Sequence, residues 1–261
     1  MHKSNPRAEV RFLKKDVSLL HAVDEACEEI KAVEKEVNLL FMSPGISKGG
    51  DRTQEDLEKK LSLHYYSRMR FAVNLMPQLT AASPRLARVV CVLGAGGEGR
   101  LILEDLSLKE NYTMRNCANH AITMTSLAMD ELAQAHPSVS FIHTYPGVVN
   151  TDLTRDMGTV AHAAAKVILS LSSPWIVPFQ ESGERHLYLA TNGKFGPQRT
   201  QVSTRPHREK ADTVVKAYLV DGCGIPRQNL KLLRKYKEEG VGKAVWTHTL
   251  DVFRKVCGDV I

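Results

Sequence analysis

The sequence predicts an α/β protein built on a doubly wound parallel sheet, with helices on both faces and a helical C-terminal extension. Short apolar runs alternate with longer amphipathic stretches over residues 10–144, and this alternation is typical of βαβ units. Two of the apolar runs, 37–42 and 88–93, are continuous, as in strands buried on both faces of a parallel sheet. Hydrophobic residues make up 43% of the chain and charged residues 25%, which are ordinary proportions for a globular protein.

The elements follow from local patterns along the chain. Asp16 is a candidate N-cap for the first helix, and Pro77 should bend or shorten the second. The predicted strands are 10–13, 37–42, 88–93 and 138–144. The predicted helices are about 17–36, 53–82, 112–135, 160–171, 182–190, 228–238 and 243–256, with a polar loop at 193–210.

The chain of 261 residues is expected to form a single domain. Within it, residues 1–152 would form the sheet core and residues 153–261 a mostly helical C-terminal part. No segment has the composition of a linker, so a second domain is not expected.

Charge and cysteine usage exclude several classes of protein. The 35 basic and 29 acidic side chains give a net charge of +6 without a block of five like charges, so nucleic acid is not an expected partner. The five cysteines form no CxxC pair and the histidines show no ligand spacing, which indicates free thiols in a reducing compartment and no metal. Without a leader-like start or an apolar run of about 18 residues, we expect no membrane contact and a cytoplasmic location.

One segment imitates a nucleotide-binding motif. Gly94–Gly99 matches G-x-G-x-x-G after a strand. The true motif opens a helix and is followed by a second strand that ends in an acidic residue about 20 residues later. Here the last glycine leads into Arg100–Leu106, and the region of Asn119 is helical in pattern. We therefore interpret the segment as a flexible loop.

Several segments in the order of this chain resemble short-chain dehydrogenases/reductases, in particular those of fungal secondary metabolism. They are Asp16–Leu20, Leu39–Gly45, His64–Arg68, Val89–Gly94, Tyr145–Thr151 and Glu181–Thr191. The likeness spans about residues 9–152 and implies an incomplete Rossmann-like fold. It also implies a homodimer through the helices near 53–82 and 112–135.

The chain departs from this family in ways that affect function. It resembles the family only from the third strand onward, so it looks N-terminally truncated and lacks the Thr-Gly-x-x-x-Gly-x-Gly turn that holds the coenzyme. The family's catalytic serine position falls on Gly94, and its helical asparagine falls near His64. The Tyr-x-x-x-Lys pair becomes Tyr112 and Asn116 with one insertion, or Thr113 and Cys117 without it. The resemblance therefore implies a degenerate member with no bound cofactor, with NADP(H) as the alternative.

The candidate site residues fall into two groups. Some match the positions of the family's active-site residues, and the others directly follow predicted strands. The catalytic candidates are Tyr112, His64 and His120, because a phenol or a near-neutral imidazole can act as acid or base. The candidates for binding substrate are Ser43, Gly94, Asn116 and Tyr145, and a weaker candidate is Glu98. No cofactor-binding or metal-binding residue is assigned.

The first predicted strand poses a folding problem. In the family two strands separate it from the strand that corresponds to residues 37–42. We expect residues 10–13 to move inward and pair with residues 37–42, because unpaired strand edges are costly when buried and adhesive when exposed. An unpaired segment would instead point to a clipped gene product.

These observations leave three functions open. The first is a biosynthetic enzyme that catalyses a non-redox step, such as cyclisation, isomerisation, dehydration or an aldol-type reaction, on a small natural-product intermediate. The second is an NADP(H)-dependent carbonyl oxidoreductase with atypical cofactor binding. The third is a non-catalytic pseudoenzyme that pairs with an active relative.

Overall fold

The computed structural model describes residues 5, 7–83, 85–149, 176–197 and 215–258. Its main feature is a four-stranded, all-parallel sheet in the order β1-β2-β3-β6. The strands are β1 Leu39–Met42, β2 Arg88–Val92, β3 Ser140–Tyr145 and β6 Tyr218–Asp221. A separate parallel pair is formed by β4 Val148–Val149 and β5 Ile176–Val177. The predicted parallel α/β fold is confirmed.

The helices lie on both faces of this sheet. Their bounds are α1 Leu20–Lys31, α2 Lys59–Leu61, α3 Ser67–Asn74, α4 Met76–Ala82, α5 Met114–Ala135, α6 Phe179–Thr191, α7 Leu230–Glu238 and α8 Val241–Cys257. A π-helical turn, Ser62–Tyr66, joins α2 to α3. The predicted helix at 160–171 lies outside the described residues.

The bend expected at Pro77 is present. Leu75 leaves helical geometry (φ −96°, ψ 5°), and α4 restarts with Pro77 in its first turn. Proline is tolerated there because the first N–H groups of a helix have no partner within the helix. The helix predicted from residue 53 begins only at Lys59.

The cap predicted for α1 is wrong. Asp16 accepts hydrogen bonds from the backbone and hydroxyl of Ser18 instead. The first N–H groups of the helix, those of Leu20 and His21, are bound by the carboxylate of Glu55 at 2.6 and 3.0 Å. A carboxylate at this position satisfies orphan donors and complements the helix dipole, so a distant loop supplies the cap.

The strand predicted over residues 10–13 is wrong. The structure assigns no strand to residues 8–16, and Phe12 is 85% exposed. Because Arg11 interrupts the apolar side chains and Phe41 on β1 is itself 40% exposed, pairing here would bury little surface. β1 is accordingly less buried than a strand covered on both faces.

The sequence analysis missed β6, which pairs with β3. Its apolar run Ala217–Val220 was the available signal, but it is short and follows a long polar stretch. Tyr218 and Val220 pack with Val90 and Ile142 on the face covered by α6. The larger core lies on the opposite face of the sheet, against α1, α3, α5 and α8.

The C-terminal helix α8 packs against α5 and hydrogen-bonds to the π-helical turn. Thr249 Oγ1 lies 2.5 Å from the Tyr65 hydroxyl, and His248 Nε2 lies 2.8 Å from the Tyr66 hydroxyl. α8 therefore covers part of α5. The homodimer through α5 and the preceding helices stays a prediction, as does the single domain with its division at residue 152.

Candidate functional site

The carboxyl ends of β1, β2 and β3 form one edge of the sheet, the edge at which open α/β proteins bind ligands. Three predicted site residues lie there. Ser43 follows β1, Gly94 comes shortly after β2, and Tyr145 is the last residue of β3. The order of the strands thus brings these residues to a common edge, as their positions after predicted strands suggested.

The glycine-rich loop after β2 has no free glycine N–H groups for a phosphate. Gly94 donates to His143 Nε2, Gly96 to Glu98 Oε1, Gly97 to the Gly94 carbonyl and Gly99 to Thr123 Oγ1. The loop leads into extended residues and a short 3₁₀ turn rather than into an α-helix. Internal hydrogen bonds therefore hold this loop in place, and it lacks the free N–H groups and the helix N-terminus of a pyrophosphate site.

A chain of buried hydrogen bonds connects this loop to β3 and α5. Because His143 Nε2 accepts the Gly94 N–H, its Nδ1 must carry the proton that is shared with Ser126 Oγ at 2.9 Å. The Ser126 hydroxyl then donates to Glu98 Oε1 at 2.9 Å. All three side chains are buried, and burial lowers the pKa of His143 to about 3. The imidazole is therefore neutral and structural.

Glu98 also connects the loop to the C-terminal part of the chain. Its Oε2 accepts the Asn229 N–H at 2.9 Å, and its carbonyl accepts from Asn229 Nδ2 at 3.0 Å. Asn229 caps α7 through the N–H of Leu232. Glu98 is only a weak candidate from the sequence, and the sequence analysis missed Ser126 and His143. Nothing in the spacing of the three residues shows that the loop after β2, α5 and β3 meet at this point.

Tyr112 keeps its proton. Its hydroxyl donates to Met114 Sδ at 3.2 Å and lies 2.0 Å from the place that a Cβ on Gly49 would take. Burial, followed by the nearby Glu58, raises the pKa of Tyr112 to about 12. Asn116 donates to the Asn111 carbonyl. Asn116, four residues after Tyr112, carries no charge and therefore cannot lower the pKa of the phenol.

Sequence reasoning missed Lys60, which approaches Tyr112 from another helix. A Cβ added to Gly49 would lie 3.2 Å from Lys60 Cδ as well as 2.0 Å from the Tyr112 hydroxyl, so the two side chains meet at this glycine. Its ammonium group is buried and donates to the carbonyls of Ile46 and Ser47. Lys60 thus fastens the loop after β1 beside the phenol, and no sequence spacing connects it to Tyr112.

The two predicted catalytic histidines are engaged inside the protein. His64 Nε2 accepts the Ile46 N–H at 3.1 Å, and burial, with nearby Arg68 and Lys60, lowers its pKa to about 3. His120 accepts the Ile102 N–H at 2.9 Å and approaches the Leu106 carbonyl at 3.3 Å. Burial also lowers the pKa of His120. Both imidazoles hold backbone segments in place, and their catalytic role stays a prediction.

Arg68 joins the ends of β1 and β2. Arg68 is 2% exposed, and its guanidinium donates to the Pro44 carbonyl at 2.5 Å, the Val92 carbonyl at 2.8 Å and Cys91 Sγ at 2.9 Å. Within the described ranges no carboxylate forms an ion pair with it. In the described part of the chain this positive charge therefore lies against carbonyl oxygens and a thiol, not against a carboxylate.

The described residues contain neither a metal-binding cluster nor a helix that could span a membrane. Among the residues that the structure describes, no group of three histidine, cysteine or acidic side chains could hold a metal ion. In the same part of the chain, no helix combines the length and the apolar character needed to cross a membrane.

Comparison with known proteins defines the family. An oxidoreductase of Emericella nidulans is 38% identical over 95% of this chain and 78% of its own length. The oxidoreductases andH of Emericella variicolor and lepF of Aspergillus flavus are 35% and 33% identical, over 99% and 98% of this chain and 79% of each relative. No protein-family profile matches. The chain belongs to the short-chain-dehydrogenase-like oxidoreductases of fungi.

Solved structures agree on the fold. An uncharacterised protein from Mycobacterium paratuberculosis superposes with a TM-score of 0.56 over 96% of this chain and 78% of its own, at 15% identity. The carbonyl reductase Sniffer of D. melanogaster has a TM-score of 0.53 over 87% and 80%, at 17% identity. YwfH, an NADPH-dependent reductase of bacilysin biosynthesis, has a TM-score of 0.53 over 73% and 74%, at 15% identity.

These findings correct one prediction. The expectation of a protein without a cofactor is wrong, because its relatives are named oxidoreductases and YwfH is named an NADPH-dependent reductase. The described residues nevertheless do not fit the family's usual grip on a dinucleotide. The glycine N–H groups after β2 are all engaged, Glu98 places a carboxylate in that loop, and Tyr112 has no lysine four residues later.

Proposed function

We propose that the protein is an NADP(H)-dependent oxidoreductase that acts on a carbonyl or alcohol group of a small natural-product intermediate. The observation that carries the proposal is its 33–38% identity to three proteins named oxidoreductases, over nearly its whole length. The edge formed by β1, β2 and β3 is the place where a parallel sheet of this kind binds small molecules.

Tyr112 is the residue that we propose to contact the reacting oxygen. A phenol whose pKa is raised to about 12 stays protonated at neutral pH. It can therefore donate a hydrogen bond to a carbonyl oxygen and stabilise the charge that develops there.

A non-redox step at the same edge is the second candidate. It is favoured by Asn116, which stands where the family would have the lysine that lowers the pKa of the tyrosine. Cyclisation, isomerisation, dehydration and aldol-type steps need a hydrogen-bond donor at an oxygen but no hydride.

Binding and turnover with the coenzyme test the proposal. Saturating NADPH at about 100 times its Kd should stabilise the purified protein by about 2.7 kcal/mol in denaturant titrations, and AMP should have less effect. A panel of carbonyl compounds should then consume NADPH. Turnover without nucleotide would support the non-redox candidate, and no NADPH binding together with no NADPH consumption would refute the oxidoreductase.

A matched pair of variants tests the role of Tyr112. Tyr112→Phe should lower kcat by about 100-fold, the effect of losing a positioned proton donor. Tyr188→Phe, at a 37% exposed tyrosine on α6, should leave kcat unchanged. Equal kcat values in both variants would exclude Tyr112 from the reaction.

A further inference from the structure

Arg227 follows β6 and reaches across to the ends of β2 and β3. Its Nε donates to the Ala95 carbonyl at 2.9 Å, and the guanidinium carbon lies 4.4 Å from the centroid of the Tyr145 ring. Gly96 leaves room for its stem, since a Cβ there would lie 2.2 Å from Arg227 Cγ. The Ala95 carbonyl, the face of the Tyr145 ring and the glycine backbone at position 96 thus fix the direction of the Arg227 side chain.

The charge of Arg227 is not matched by an acid. The side chain is exposed, and among the described residues no carboxylate forms an ion pair with it. The acids of the adjoining turns are occupied: Glu98 binds backbone N–H groups and Ser126, and Asp221 binds the N–H groups of Cys223 and Ile225. The terminal guanidinium nitrogens are therefore available to a ligand.

Fixing a guanidinium in this way suits it to one kind of ligand. The planar fork of an arginine matches the two oxygens of a carboxylate or phosphate. Stacking on an aromatic ring reduces the entropy that is lost when the fork binds. The fork also lies at the edge of a parallel sheet where ligands bind.

We infer that Arg227, stacked on Tyr145, is the binding site for an oxyanion at the candidate active site. As a statement about the substrate, this inference rests on the proposed function: the substrate then carries a carboxylate near its reacting carbonyl. The same guanidinium could instead bind a phosphate group of the nucleotide, because a phosphate also presents paired oxygens to the planar fork.

Binding titrations followed by NMR distinguish these sources. The probes are benzoate, its uncharged analogue benzyl alcohol, inorganic phosphate and NADPH. Arg227→Met should weaken benzoate binding by at least about 10-fold and leave benzyl alcohol unchanged. Weaker binding of phosphate and NADPH, with benzoate unaffected, would assign the fork to the nucleotide. The matched control is Arg100→Met, at an exposed arginine with no aromatic ring or carbonyl against it in the described structure, and it should change none of the four.

Two further variants test whether binding needs the oriented, planar guanidinium of Arg227 or only a positive charge at this position. Arg227→Lys keeps the charge but loses the planar fork, and Tyr145→Leu keeps Arg227 but removes the stacking face. Both should weaken binding of the preferred oxyanion several-fold. If Arg227→Met matches Arg100→Met for all probes, or if Arg227→Lys binds like the wild type, the inference is refuted. Because binding requires no turnover, failure of the reductase assay with intact Arg227-dependent binding would refute only the proposed function.

Discussion

The chain from His143 through Ser126 to Glu98 makes the stability of the protein depend on one buried hydroxyl. Ser126→Ala would leave the His143 Nδ1–H without an acceptor in the fully buried interior. It would also remove one of the two donors to Glu98 Oε1, whereas the Gly96 N–H would remain. An unsatisfied buried donor costs about 1–3 kcal/mol, and a lost hydrogen bond to a charged group costs a similar amount. Together these two losses amount to about 2–6 kcal/mol in the free energy of unfolding.

The adjacent residue on α5 provides the control. Thr125 is as deeply buried as Ser126, but its hydroxyl has no hydrogen-bond partner among the described residues. Thr125→Val removes a buried hydroxyl without breaking a bond, so its free energy of unfolding should stay within about 1 kcal/mol of wild type or rise. Urea titrations followed by circular dichroism measure both variants. A Ser126→Ala variant as stable as Thr125→Val would refute the reasoning.

Three further predictions concern pH, packing and thiol reactivity. Burial lowers the pKa of His143 to about 3, against about 6.5 when unfolded, so the unfolded chain takes up the proton first. Its contribution to stability, complete above pH 6.5, should fall by about 1.4 kcal/mol per pH unit between about pH 6.5 and 3. Urea titrations across this range should show a shallower decline for His143→Gln, and an unchanged slope would contradict this origin. Gly49→Ala places a Cβ 2.0 Å from the Tyr112 hydroxyl and should cost about 1–3 kcal/mol of stability in the same assay. Adding Tyr112→Phe should recover part of this loss, and Gly193→Ala, with no atom within 4 Å, should be harmless; equal losses at both glycines would contradict the clash. Cys223 is exposed, whereas three of the other cysteines are buried and one is half-buried, so native Ellman labelling should show one fast thiol that Cys223→Ser removes. A fast phase that persists in this variant would show that another cysteine is open.

Local patterns were enough to predict the parallel sheet. Continuous apolar runs predict β1 and β2, the segment that ends before Pro146-Gly147 predicts β3, and Pro77 predicts the break before α4. These features depend on a few adjacent residues, so the sequence carries them directly. Residues 10–13 had a similar local signal but no strand forms there, because a strand also needs a neighbour and a covered face.

The candidate site was less predictable because its contacts join distant segments. Glu98, Ser126 and His143 lie on a loop, a helix and a strand, and each residue alone is unremarkable in the sequence. Arg227 lies 132 positions from the Ala95 carbonyl that it binds. The sequence placed Ser43, Gly94 and Tyr145 at one edge, but it could not show that His64 and His120 would be neutral and occupied by backbone groups.

The late position of β6 in the chain has a consequence during synthesis. β3 is complete at Tyr145, yet the strand beside it begins only at Tyr218. Until β6 has left the ribosome, the nascent chain carries an unpaired β3 edge, and the face with Val90 and Ile142 lacks Tyr218 and Val220. Such edges and apolar faces attract other chains. Yield in a heterologous host should therefore improve with slower translation or with added chaperones that shield nascent polypeptides.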